Sequence, residues 1–392
     1  MKFTVKRTKM LDAMKTVLAV VPDKSLIEEI RGVLFTVNAG TGTVNVAGTD
    51  LQTWIEKRVP CEHISEDGEL VLKPIVSDML RLMSGETVEF EQTAGALRIT
   101  CGSTVYDVPY IDAASFPKCS IKYPENTIRI QGINSLIKRT VFAAEGKTDD
   151  KNRVKMQFVK LTFKGGNSYA EATNGNCTAI SASPHCADGN LSLIVHEKAL
   201  QILSKIVSPD DEIYVGSEGK IAVFMRPDTM FITLLHTGDY VEGSKIMSRL
   251  KSEYGAITDT RKMADLLENA TSLFRPTDDQ CINISIRGGK ITARGLTSVG
   301  RSEASIDATH TVDTAEEGFN YKPKLLLDCL KHSTGPLRIS MDKRGFLMFE
   351  ANQSRFLVCP RREVQIKKEE PKKAAKPKTR KTKAKTAQPA AA

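Results

Sequence analysis

The sequence predicts an α+β chain of three repeated domains, each an antiparallel sheet carrying two helices. Three observations predict it. An amphipathic helix opens each copy, with apolar residues at helical spacing: Met10, Leu11, Met14, Val17 and Leu18 within about 7–20; Ile133, Leu136, Ile137 and Val141 within about 132–144; Met263, Leu266, Leu267 and Ala270 within about 259–272. A hairpin phrase follows, reading VNVAGTDLQTWIEKRVP at 44–60, SYAEATNGNCTAISASP at 168–184 and ITARGLTSVGRSEASID at 291–307. In all three, alternating residues flank a turn of Gly, Thr or Asn. A second helix then appears as KPIVSDMLRLMS (73–84), HEKALQILSKIV (196–207) and KPKLLLDCLKHS (322–333), and each is followed by strands.

A period of about 125 residues recurring three times is the mark of a duplicated module. Strand-rich modules with two helices apiece place both helices on one face of an antiparallel sheet. The expected domains are 1–123, 124–250 and 251–364, followed by a lysine-rich tail at 365–392. That tail is rich in Lys, Ala, Pro and Thr and lacks the large apolar residues a core requires, so it is expected to be disordered.

Charge is distributed unevenly. The net charge is +9, and residues 365–392 alone carry nine Lys, one Arg and two Glu, leaving the first 364 residues almost neutral. No run approaches the ~20 apolar residues that span a bilayer, and the N-terminal MKFTVKRTKM has no signal-peptide core, so a cytoplasmic location is expected. The eight cysteines form no CxxC pair and read as reduced core residues. The six histidines form no HxxH or HExxH pair, no serine sits in a GxSxG elbow, and the acidic pairs fall in loops. Gly146-Lys147-Thr148 lacks the glycine that a phosphate loop needs five positions earlier, where Val141 stands, and it follows a helix rather than a strand. The residues therefore point away from an enzyme and from any metal or cofactor.

Several short words sit in the order found in one known family: MKFTV at the start, GTDLQ at 48–52, SFP at 115–117, ATNG at 172–175, GFN at 318–320 and the closing VCPRR. Over residues 1–364 the chain resembles the bacterial beta sliding clamp, the DNA polymerase III beta subunit. The resemblance implies a homodimer of three-domain chains closed head to tail as a ring. Helices would line the hole around duplex DNA, a DNA polymerase would be tethered, and a clamp loader would open the ring. Two features depart from the family. Where it commonly reads Asp-Gly-His-Arg-Leu, this chain has Asn174, Gly175, Asn176, Cys177 and Thr178, and the tail runs past the usual end.

Candidate site residues follow from both readings. Basic residues off the apolar stripes of the helices are Lys9, Lys15, Arg81, Lys138, Arg139, Lys198, Lys205, Arg261, Lys262, Lys324 and Lys331. Taken alone, such residues are better explained as solvated helix faces, since Asp12, Asp78, Asp265 and Asp328 stand nearby; in the ring that the resemblance implies they supply sequence-independent attraction to phosphate. Lys151, Arg153 and Lys155 lie in a basic loop, and Lys24 falls where the family places a DNA-contacting Arg. The resemblance further implies a partner-peptide groove of Phe158, Thr173, Gly175, Val241, Lys245, Ile246, Leu357, Val358 and Pro360. For the dimer interface the apolar pair Leu273 and Phe274, just after the third copy's first helix, is the candidate. The alternative from another class is a monomeric, non-specific nucleic-acid-binding protein acting through its basic tail.

Overall fold

One series of elements, strand, helix, four strands, helix and three strands, occurs three times in the computed structural model, which describes residues 1–118, 124–184, 187–275, 280–315 and 317–361. The first occurrence begins with β1 (Lys2–Lys6), α1 (Arg7–Leu18), β2 (Val33–Asn38), β3 (Thr43–Thr49), β4 (Thr53–Glu66) and β5 (Gly68–Leu72). It ends with α2 (Ile75–Leu82), β6 (Thr87–Gln92), β7 (Leu97–Cys101) and β8 (Thr104–Val108). The second comprises β9 (Thr127–Gln131), α3 (Ile133–Lys138), β10 (Phe158–Lys164), β11 (Asn167–Thr173), β12 (Cys177–Ser183) and β13 (Leu191–His196). It continues through α4 (Glu197–Ile206), β14 (Glu212–Glu218), β15 (Ile221–Met225) and β16 (Thr229–Leu234), and the short helix α5 (Gly243–Met247) follows. The third comprises β17 (Tyr254–Asp259), α6 (Thr260–Ala270), β18 (Ile282–Arg287), β19 (Lys290–Leu296) and β20 (Arg301–Asp307). An added strand, β21 (Thr309–Val312), precedes β22 (Phe319–Tyr321), α7 (Pro323–Lys331), β23 (Pro336–Met341), β24 (Leu347–Ala351) and β25 (Ser354–Val358). The tail at 365–392 and the expected division after residue 123 lie outside the described residues.

Alternation builds the sheets. Phe3 and Val5 of β1, Phe35 and Val37 of β2 and Val44 and Val46 of β3 are all buried, while the residues between them are at least partly open. α1 presents Met10, Ala13, Met14 and Val17 to that face at i, i+3, i+4 and i+7, so the helix and sheet bury each other's apolar surface. The helices of each series lie beside one another in pairs, α1 with α2, α3 with α4 and α6 with α7.

The expected helices are trimmed by a residue or two at their ends, and one is cut short. In place of a helix over 132–144, α3 stops at Lys138 and a single 3-10 turn covers Val141–Ala143. The cause is Thr140, whose hydroxyl donates to the carbonyls of Leu136 and Ile137 at 2.9 and 3.2 Å while its own backbone leaves helical geometry at φ −128°.

All the ladders are antiparallel, and two of them cross between successive series. β4 pairs with β16 (Thr53↔Thr233 through Lys57↔Thr229), making one twelve-stranded sheet. β12 pairs with β25 (Cys177↔Val358 through Ser181↔Ser354), making a nine-stranded one. β4, β12 and β20 hold the same place in the three series, as do β8, β16 and β25. The two remaining strands, β8 and β20, are edges: β8 pairs with β7 and β20 with β19.

Candidate functional site

The candidate cations differ in what holds them. Lys9, Lys15, Lys24, Lys138, Lys205, Arg261, Lys262 and Lys324 are solvent-exposed, and so is Lys151 in the loop 146–155. Three more are exposed but engaged: Arg81 with Asp78 at 3.0 Å, Lys331 with Asp328 at 3.0 Å and Lys198 with Asp50 at 3.4 Å. Exposed pairs of this kind hold weakly, so these cations remain able to exchange partners.

Two arginines do different work from that expected. Arg139 donates to the carbonyl of Ala182 and the hydroxyl of Ser183, each at 3.0 Å, and to the carbonyl of Asn352 at 3.3 Å, tying α3 to the ends of β12 and β24. Arg153 clasps the Glu145 carboxylate and donates to the Asn174 carbonyl at 2.9 Å, fixing the loop against the β11–β12 turn. Both are structural ties, because a guanidinium fork satisfies several backbone acceptors at once.

At the β12–β25 junction the chain assembles a compact cluster. The Thr173 hydroxyl lies 2.8 Å from that of Thr178 and donates to the Cys177 carbonyl at 3.0 Å. Gly175 turns the chain at φ +81°, a backbone region glycine enters without penalty. Leu357 stands opposite Thr178, and the Cys359 thiol donates to the Gly175 carbonyl at 3.3 Å. Burial pushes that thiol up to about 11. Pro360 lies between two backbone bonds that pin the segment after β25, Cys359 N–H to Asn176 O at 2.9 Å and Arg361 N–H to Asn320 O at 2.7 Å. The segment with Val241, Lys245 and Ile246 covers β11 and β12: the Tyr240 hydroxyl donates to Glu171 O at 2.7 Å, and Ser244 N–H donates to the Glu171 carboxylate at 2.9 Å. Lys245 is exposed and pairs with Glu242 at 2.7 Å.

Three expectations change here. Phe158 turns toward the histidines, stacking on His236 with centroids 4.0 Å apart and meeting His196 edge-on at 5.3 Å. Met156 stands beside Gly175 instead, its sulfur 3.6 Å from where a Cβ on that glycine would sit. Val358 is fully buried in the core and Leu357 is 1% exposed, so neither side chain is open to a ligand from solvent. Met156 and Cys359 were missed because their signal is faint: one apolar residue in a polar loop, and one cysteine past the end of a strand. Leu273 lies against Gly300 at the entry to β20, and Phe274 packs on Gly295 of β19.

Residues 1–120 match the sequence profile of the DNA polymerase III beta subunit, N-terminal domain. A beta sliding clamp of Bacillus subtilis is 23% identical over 374 residues, covering 90% of this chain and 96% of the relative. One from Chlamydia pneumoniae is 24% identical over 375 residues, covering 92% and 99%. The N-terminal part of the chain thus matches the beta-subunit profile, and nearly the whole chain is similar in sequence to beta sliding clamps. The crystal structure of the Bacillus subtilis sliding clamp superposes on this chain with a TM-score of 0.83 at 20% identity, over 93% of this chain and 99% of that one. The beta subunit of DNA polymerase III from Thermotoga maritima gives 0.83 at 16% identity, over 93% and 100%. The fold is thus that of the clamps along nearly its whole length. No helix among the described residues is long and apolar enough to cross a membrane, and no group of three or more His, Cys, Asp or Glu among them is arranged to hold a metal.

Proposed function

We propose that two copies of this chain close head to tail around duplex DNA as a sliding clamp that tethers a DNA polymerase, with domains divided at 1–123, 124–250 and 251–364. The observation that carries this is the pairing rule between successive series. The third strand of each hairpin region pairs with the last strand of the following series, β4 with β16 and β12 with β25, leaving β20 and β8 open at opposite ends. Applying the same rule once more sets β20 of one copy against β8 of another. Head-to-tail contacts of this kind form rings when the rotation closes. Leu273 and Phe274, beside the end of β20, support the same joint.

Encirclement explains why the body needs little net charge. A ring must not grip any base, and exposed lysines spread over helix faces give mobile attraction to phosphate. Tethering acts by raising effective concentration, which needs no catalysis by the ring itself. Partners would insert an apolar peptide at the Thr173, Gly175, Met156, Leu357 and Cys359 cluster, and a clamp loader would open the ring. The place of action is the cytoplasm, on the nucleoid.

The test is retention on DNA. Loaded protein should stay on closed circles and leave once they are linearised. Equal retention on both forms overturns the ring. A second reading, a monomer that binds nucleic acid through the tail, is favoured by the placement of eight of the nine net charges after residue 364. It predicts equal retention together with a monomeric mass.

A further inference from the structure

Cys177 and Cys329 meet at the junction of the second and third series. Their sulfurs are 3.8 Å apart, although 152 positions separate the two residues along the chain. Cys177 begins β12 and is 1% exposed. Cys329 lies on the buried stripe of α7 with Leu326 and Leu330 and is wholly shielded from solvent. Strand and helix bring the thiols together, because α7 packs against β25 and β25 pairs with β12 from Cys177 onward. The backbone of Cys177 is held on both sides. Its N–H donates to the Asn174 side chain at 2.8 Å, and its carbonyl accepts from the Thr173 hydroxyl at 3.0 Å.

A disulfide holds its sulfurs about 2.05 Å apart, so closing a bond from 3.8 Å asks each sulfur to move by about 0.9 Å. Contact at this range also decides the product. A sulfenic acid formed on either sulfur already has a thiol against it, so the disulfide forms before a second oxidant molecule can arrive. Burial raises the Cys329 thiol well above its ordinary range. A thiol kept protonated is a poor nucleophile, so the pair resists weak oxidants and closes under sustained peroxide. The half-buried Cys359 is raised too, to about 11, so its greater exposure is offset by a protonated sulfur.

We propose that Cys177 and Cys329 form an oxidative modification site, closing under hydrogen peroxide into a disulfide that ties β12 to α7. One sulfur attacks a peroxide oxygen: the S–O bond forms, the O–O bond breaks, and the leaving hydroxide takes the thiol proton as water. The second sulfur then attacks the first: the S–S bond forms, the S–O bond breaks, and the second hydroxide leaves with the second proton as water. The two sulfurs together lose two electrons, and the two peroxide oxygens gain them. Neither the ring nor the groove is needed for this chemistry, since both thiols belong to one chain.

The experiment treats the full-length protein with hydrogen peroxide, removes the excess with catalase and caps remaining thiols with iodoacetamide in denaturant. Non-reduced digests are then mapped by mass spectrometry. The expected result is a peptide linked through Cys177 and Cys329 that dithiothreitol releases. Thermal unfolding of the oxidised protein should show a midpoint raised by about 5 °C, because the bond closes a long loop of the unfolded chain. Reduction should return the midpoint to its starting value. Cys329→Ala should lose both the linked peptide and the shift, whereas Cys359→Ala should keep both. Capped Cys177 and Cys329 beside an oxidised Cys359 would overturn the assignment, and that measurement needs no variant to fold. A midpoint that falls on oxidation would overturn it as well, since the bond would then form only by disrupting the junction.

Discussion

Leu51 and Gly175 occupy the same point of two equivalent turns, and both take the left-handed backbone, at φ +70° and +81°. Glycine enters that region freely, whereas a leucine there costs about 1–2 kcal/mol. Leu51→Gly relieves that strain but also loosens the unfolded chain, which takes back about 0.4–1 kcal/mol. The expected net effect is a gain of up to about 1 kcal/mol, read as a raised denaturation midpoint. Gly175→Ala should do the reverse by about 1 kcal/mol. The Met156 sulfur would lie 3.6 Å from the new methyl, an ordinary contact, so the cost is conformational and not steric. A stabilised Gly175→Ala protein would contradict the assignment of strain.

His196 gives the junction between the first two series a pH dependence. Its Nδ1 accepts from Lys198 N–H at 3.1 Å, capping α4, and its ring meets Phe158 edge-on. Burial lowers its pKa, Lys198 adds to the effect and Asp50 opposes it. A histidine depressed in this way binds fewer protons folded than unfolded. Its contribution is therefore complete above the ordinary value of about 6.5 and is lost as pH falls toward the folded value. His196→Asn keeps a capping acceptor without the titration. Thermal midpoints should fall less steeply from pH 7 to pH 5 in the variant than in the wild type. Parallel curves would exclude His196 as the titrating group.

Much of this was legible in the sequence because the module is written three times. A stripe such as Met263, Leu266 and Leu267 specifies a buried helix face whatever surrounds it, and the structure buries all three. Thr173, Gly175 and Leu357 were placed together only by the family resemblance, because nothing in the local pattern shows that β12 pairs with β25. Arg139 was not legible, because its acceptors include Asn352, 213 residues away. Phe158 and Met156 were exchanged because the loop before β10 folds through a 3-10 turn at Val154–Met156 and the Arg153–Glu145 pair, and alternation says nothing about such a path. The same limit applies to truncation. Cutting at Leu357 removes part of β25 together with the core residue Val358, so the informative deletion begins after Pro360.

The proposed dimer joint is tested at the open edges. Val105 on β8 is 51% exposed, a large apolar residue on an edge strand, and Leu273 stands beside the entry to β20. An exposed edge bearing apolar side chains invites another strand. Val105→Glu combined with Leu273→Glu should convert dimers to folded monomers by sedimentation, because a buried unpaired carboxylate opposes association. Phe274 is left intact because its ring packs on Gly295 within the chain. A dimer that survives both charges would place the interface elsewhere.

The charge distribution makes the final prediction. Residues 365–392 hold nine Lys and one Arg against two Glu, so the tail should dominate equilibrium binding to short linear DNA. Each phosphate neutralised on duplex DNA contributes a slope of about −0.9 in log affinity against log salt. Removing residues 367–392 should therefore flatten the salt slope by several units and weaken binding to linear fragments. Retention on closed circles after loading should survive the same deletion, since encirclement does not depend on attraction. A salt titration of full-length and truncated protein on both DNA forms separates the contributions. An unchanged slope would mean that exposed helix residues such as Lys9, Lys138 and Lys205 carry the attraction. Loss of retention on circles would count against a closed ring, because a topological link has no other reason to need the tail.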